Sequence, residues 1–288
     1  MPMTFNIPKH FLFNLVCLLS FLVTVILFSS VGEPYHRGFF CDDESISKPY
    51  KDSTVPSSVA AIVGLLLPVI SITIIEWPQI WKSTKDEKKR FYKSQWFRWL
   101  CIVITFFVVG AAVNVVLTDV GKYTIGRLRP HFFSVCKPDF SKLNCTTGFK
   151  KNFIMNYECT GDKHLVKEAR LSFPSGHSSF AAYCMVFLIL YLEMRMTYCS
   201  TMTLFKPLLQ FVLLLLTVLC GLSRVSDYKH HWSDVLTGFF IGTCIALFFI
   251  FRVLELRHVS NITPTDRDHY EERPNPQHPG DIESDGTS

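Results

Sequence analysis

The chain has 288 residues, 49% of them hydrophobic, a mean hydropathy of +0.25 and a formal net charge of +5. Apolar content at that level, gathered in blocks, excludes a soluble domain of this length and points to the bilayer as solvent. The positive charge is no nucleic-acid signature, because the basic residues flank the apolar blocks or fall in the motifs described below.

A helix needs roughly 20 mainly apolar residues to cross the hydrocarbon core. Six candidate blocks follow in chain order: 11–31, 55–77, 99–120, 178–192, 207–222 and 233–253. The first is longer than the apolar core of a secretory signal and lacks a small-residue cleavage site, so it is read as a span. The fourth and fifth are short as written and are expected to extend to flanking residues such as His177 and Phe205. The expected fold is all-α, a polytopic membrane protein with six transmembrane helices in a bundle over residues 11–253. Residues 1–10 precede it as a cytosolic N-terminus, and the polar stretch 254–288 reads as a disordered cytosolic tail.

The loop 82–98 carries Lys85, Lys88, Lys89, Arg90 and Lys93, which the positive-inside rule assigns to the cytosol. Counting spans from there puts both termini in the cytosol and segments 32–54, 121–177 and 223–232 on the opposite side. The long outer segment is itself rich in Lys and Arg, but long loops count less under the rule. Asn144-Cys145-Thr146 is then an accessible glycosylation acceptor at Asn144, whereas Asn261-Ile262-Thr263 falls in the tail and should stay bare. Of the ten cysteines, Cys41, Cys136, Cys145 and Cys159 lie outside and allow two disulfides in an oxidising compartment, with three connectivities open.

Three polar stretches border the spans. In the first, Lys122 and Arg129-Pro130 follow the third span. If the helix continues, their seven-residue spacing puts both cations on one face, two turns apart. In the second, Pro174-Ser175-Gly176-His177 opens the fourth span, where free backbone N–H groups and the positive dipole end suit an anion. In the third, Ser223-Arg224 is followed by His230, His231 and Asp234. A helical four-residue spacing would let the Asp234 carboxylate accept from one imidazole nitrogen of His230 and leave the other as a lone pair. His231 competes for that role. Span parity puts all three stretches on one membrane face, where Lys122, Arg129 and Arg224 would match the charge of a phosphate. Taken singly, each also has an ordinary structural explanation, as snorkelling bases, a helix cap and a structural pair.

Together the stretches resemble the phosphatase motifs of the type 2 phosphatidic acid phosphatase superfamily, and the six-span layout is similar to its lipid phosphate phosphatase branch. Within the third motif the family spacing selects His230 over His231. The resemblance implies a helical bundle and a metal-independent, magnesium-independent hydrolysis of lipid phosphomonoesters. Phosphatidate, lysophosphatidate, sphingosine 1-phosphate and ceramide 1-phosphate are the substrates it implies. His230, aligned by Asp234, would form a phosphohistidine. His177 would protonate the leaving alkoxide and then activate water. Lys122, Arg129, Arg224, the Ser175 hydroxyl and the Gly176 N–H would stabilise the transition state. The partners implied are lipid substrates and the membrane, with no nucleic acid and with self-association left open. The site would face the extracellular or lumenal side of the plasma membrane or of internal membranes. A non-catalytic lipid-binding relative and a lipid phosphotransferase are the alternatives. A transporter is disfavoured because the ionisable residues gather at one face.

Overall fold

Five of the six apolar blocks form helices that outrun the blocks themselves. The structure is a computed structural model and describes residues 16, 20, 23, 32–86, 95–143, 145, 152–196 and 204–261. Its helices are α1 (Ser57–Asp86), α2 (Gln95–Ile125), α3 (Phe132–Cys136), α4 (Lys163–Ala169), α5 (Gly176–Arg195), α6 (Phe205–Ser226) and α7 (Trp232–Asn261). All but the short α3 and α4 are long and apolar enough to cross a membrane. The chain is therefore a multi-pass membrane protein. The expected span 11–31 lies outside the described residues except at Val16, Ser20 and Val23. Helix α7 itself continues past residue 253, to Asn261.

The spans show which solvent they face. On α1 the exposed Ile62, Leu66, Ile70 and Ile74 recur every four residues, while Ile72 and Ile80 are buried. A stripe of that kind would be a liability in water and is the ordinary surface of a helix in lipid. Pro68 and Pro78 sit inside the same helix, as spans tolerate. The central helix is α5, which buries Tyr183, Phe187, Leu188 and Tyr191 against α1, α2 and α6. α7 closes on the start of α5 through Gly238 and Gly242. A Cβ at Gly238 would lie 2.6 Å from the Ser175 carbonyl oxygen, and one at Gly242 would strike the Ser179 carbonyl, so only glycine permits this approach. The approach sets Asp234 beside the residues that open α5.

Not every ionisable residue gathers at one end, as the sequence suggested. At the far end of α1 and α5, Glu76 is fully buried and accepts from Arg195 Nη2 at 2.7 Å, from Arg195 Nε and from the Tyr191 hydroxyl. A carboxylate inside a span persists only when paired in this way.

Between the spans, the described residues of 32–54 and 126–172 fold into a cap. β1 (Phe39–Phe40) pairs antiparallel with β2 (Phe153–Ile154), with Phe39 opposite Ile154. Phe39, Ile46, Leu128, Phe132, Val135 and Tyr157 form a small apolar core. The disulfide connectivity, open in the sequence, is Cys41–Cys145 and Cys136–Cys159. The bridges close loops of 104 and 23 residues' separation, and the longer closure removes more entropy from the unfolded chain. The cap staples the first motif in place: Arg129 N–H donates to the Ala169 carbonyl at 2.8 Å and Ser172 N–H to that of Arg127 at 3.0 Å. The chain divides at Phe251 into two compact units, and all the site residues belong to the first.

Candidate active site

The first motif does not continue as a helix. α2 stops at Ile125 because Gly126 adopts φ +56°, where any Cβ would collide with the Tyr35 carbonyl oxygen. Lys122 therefore sits on the last turn, and Arg129 returns on the following loop. The one-face helical geometry expected from their spacing is replaced by a turn, yet both side chains line one cavity of about 410 Å³ with Gly176, His177 and His230. Lys122 Nζ lies 2.7 Å from Asp119 Oδ1, and Arg129 Nη1 lies 3.9 Å from Glu168 Oε2. Burial pulls the Arg129 guanidinium below its ordinary range, with Glu168 opposing. Its Nε is buried and has no hydrogen-bond partner among the described residues.

The second motif forms the N-terminus of α5. Ser175 is the N-cap: its hydroxyl accepts from Ser178 N–H at 3.4 Å and lies 2.9 Å from the Ser178 hydroxyl. It is fully buried in that role and does not line the cavity. Gly176 does, and a Cβ there would come within 3.1 Å of Lys122 Nζ. The missing side chain thus lets an ammonium group stand at a helix N-terminus, the arrangement that binds anions. His177 faces the same cavity, and its buried Nε2 has no hydrogen-bond partner among the described residues.

The third motif joins the end of α6 to the start of α7. Arg224 is 1% exposed and is not among the residues that line the cavity; Asp227 Oδ2 holds it at 3.1 Å. Asp227 in turn accepts from both the N–H and the hydroxyl of Thr54 at 2.7 Å. The Arg224 carbonyl accepts from the N–H groups of Lys229 and His230 at 3.0 and 3.2 Å, a tight turn that aims His230 at the cavity. Helix α7 begins only at Trp232, so His230 and Asp234 are not one helical turn apart as expected. His230 Nδ1 lies 2.6 Å from the Ser172 carbonyl oxygen and 3.8 Å from Asp234 Oδ2. A carbonyl only accepts, so Nδ1 carries the hydrogen and Nε2 holds a lone pair. Burial, which Asp234 opposes, pushes the His230 pKa down to about 4, and the ring is neutral at physiological pH.

Asp234 is nonetheless central. Fully buried, it accepts from the Ser172 hydroxyl at 2.6 Å, from His231 N–H at 3.0 Å and from Arg127 Nη1. His231 Nε2 lies 3.0 Å from the Leu128 carbonyl oxygen, and its ring does not line the cavity. Arg127, Ser172, Asp119 and Asp227 drew no role from the sequence. Arg127 stood inside the first stretch with a charge as its signal, while Ser172 gave none because it acts partly through its backbone carbonyl. The acceptor Asn144 lies outside the described residues, though Cys145 beside it is bridged to Cys41.

The profile of the PAP2 superfamily matches residues 99–257, a stretch that takes in all three motifs. The chain belongs to the PAP2 superfamily. It is 41% identical over 255 residues to phospholipid phosphatase 1 of Rattus norvegicus, covering 87% of this chain and 88% of that one. Against phospholipid phosphatase 2 of Homo sapiens the identity is 40% over 235 residues, covering 82% and 79%. A solved PAP2 relative, the transmembrane phosphatidylglycerolphosphate phosphatase of Bacillus subtilis, aligns at 20% identity and a TM-score of 0.32, covering 82% of this chain and 93% of that one. That likeness is too distant to bear on the fold or the site. In this PAP2 chain the cavity brings together, from separate elements, two cations, a helix N-terminus and two histidines.

Proposed function

We propose that this PAP2 chain hydrolyses lipid phosphomonoesters, phosphatidate, lysophosphatidate, sphingosine 1-phosphate and ceramide 1-phosphate among them, through a phosphohistidine on His230. The observation that carries the reading is the convergence of Lys122, Arg129, His177 and His230 on one cavity at the end of a membrane bundle. The relatives' names, phospholipid phosphatases 1 and 2, support it. In the first step His230 Nε2 bonds to phosphorus, the ester P–O bond breaks, and His177 gives its proton to the departing alkoxide. In the second, His177 takes a proton from water, whose oxygen displaces His230 and releases inorganic phosphate. Lys122, Arg129, the Gly176 N–H and Arg224 stabilise the equatorial oxygens. Ser175 serves that purpose by capping the helix whose N-terminus meets the anion. The cations supply the positive charge that a metal would otherwise bring to the phosphate.

Phosphate release from defined lipid phosphates in detergent tests the reading, with His230→Ala as control. Wild-type activity should survive excess chelator and be inhibited by vanadate, which adopts the trigonal bipyramid of the transition state. Abolition by chelator with recovery on adding a divalent ion would sink the metal-free mechanism.

We also propose that the site and its disulfide-bonded cap face the extracellular or lumenal side. Two bridges in the cap suit an oxidising compartment. Glycosidase treatment should then shift the wild type and Asn261→Gln on a gel, but not Asn144→Gln. Sugar on Asn261 would reverse the topology.

A further inference from the structure

A pocket for a dianion has little electrostatic use for a carboxylate, yet Asp119 lines this one. It bonds Lys122 Nζ through Oδ1, and its side chain is 18% exposed. Its position along α2 is informative. The helix points its C-terminus at the site, so Asp119, three residues before Lys122, lies roughly 4.5 Å further toward the bilayer at 1.5 Å per residue. A lipid whose phosphate meets Lys122 and Gly176 must run its backbone past that level. The cavity wall is largely apolar on that side, with Ala60 and Ala61 of α1, Val115 of α2 and Phe180 of α5.

We propose that Asp119 is a specificity-determining residue which selects phosphomonoesters carrying a hydrogen-bond donor, best of all an ammonium group, on the carbon next to the phosphate-bearing one. The proposal rests on the phosphatase reading above and deepens it. The second carboxylate of the cavity, Glu168, belongs to α4 in the cap and not to a membrane span, and it pairs with Arg129. Among matched lipids, sphingosine 1-phosphate presents the ammonium, ceramide 1-phosphate a neutral amide N–H at the same carbon, and phosphatidate only an ester oxygen. A hydrogen bond from a charged donor to a carboxylate exceeds one from a neutral donor, and the ester offers none.

The test is the ratio of kcat/KM for sphingosine 1-phosphate to that for ceramide 1-phosphate and for phosphatidate, in wild type, Asp119→Asn, Asp119→Glu and Glu168→Gln. Asp119→Asn frees Lys122 and will slow all substrates, an effect that cancels in the ratio. The ratio should fall on the order of tenfold in Asp119→Asn, the size of a lost charge-assisted hydrogen bond. Asp119→Glu should keep most of the preference and Glu168→Gln all of it. Parallel losses on every lipid would mean that Asp119 only positions Lys122, and would overturn the proposal. So would a collapse of the ratio in Glu168→Gln with Asp119→Asn unchanged. If Asp119→Asn fails to fold, the wild type still decides: equal kcat/KM for sphingosine 1-phosphate and its N-acetyl derivative overturns the selection. Failure of the wild type to release phosphate from any lipid would strike the phosphatase reading instead.

Discussion

His177→Ala should lose on the order of 10² to 10⁴-fold in kcat on lipid phosphates, the range of general acid catalysis, while His230→Ala should be dead on every substrate. The two effects part on an activated aryl phosphate, whose leaving group departs without a proton. His177→Ala should then release one equivalent of aryl alcohol in a burst and stall as an acid-labile phosphoenzyme, because only the attack of water still lacks its base. The geometry gives each ring its part. His230 is held by Nδ1 against the Ser172 carbonyl, which leaves the Nε2 lone pair for phosphorus, and His177 Nε2 in the same cavity has no hydrogen-bond partner among the described residues. Normal turnover of both substrates by His177→Ala would undo the assignment. Trapped phosphate on His231 would as well, since that ring is tied to the Leu128 carbonyl.

What the sequence disclosed and what it hid divide along physical lines. Apolar blocks report burial in lipid, so five spans were legible, including the extension of α5 to His177 and of α6 to Phe205. Side chains that act through charge or a ring were legible too, which is why Lys122, Arg129, His177 and His230 fall together. Backbone conformation was not. The left-handed turn at Gly126 breaks the helix that spacing alone would extend to Arg129. The start of α7 at Trp232 leaves His230 outside the helix that would have paired it with Asp234. The Ser172 carbonyl is invisible for the same reason, as every residue has one. The partner of Glu76 was hidden because Arg195 lies 119 positions away, and only the packing of α1 on α5 joins them.

Asp234→Asn should damage both stability and rate, and for a reason other than a direct carboxylate–imidazole bond. Asp234 Oδ2 is 3.8 Å from His230 Nδ1 but 2.6 Å from the Ser172 hydroxyl, while Oδ1 pairs with Arg127. The carboxylate accepts on both oxygens, and an amide accepts on one only. Its NH₂ must then face either Arg127 or the Ser172 hydroxyl and His231 N–H, so one set of donors is left without an acceptor. Breaking a buried pair costs about 3 to 5 kcal/mol, and the partial exposure of Arg127 reduces this to about 2 to 3 kcal/mol, visible as a melting temperature lowered by several degrees in detergent. The rate falls because Ser172, whose carbonyl fixes the His230 tautomer, loses its own anchor. Ser172→Ala keeps that carbonyl and removes only the anchor, and should cost roughly tenfold in kcat, about one hydrogen bond. Residues acting through one contact do not add, so the double variant should be scarcely slower than Asp234→Asn alone. Ser172→Ala near wild type, with Asp234→Asn slow but undiminished in stability, would instead mean that Asp234 closes on His230 directly during turnover.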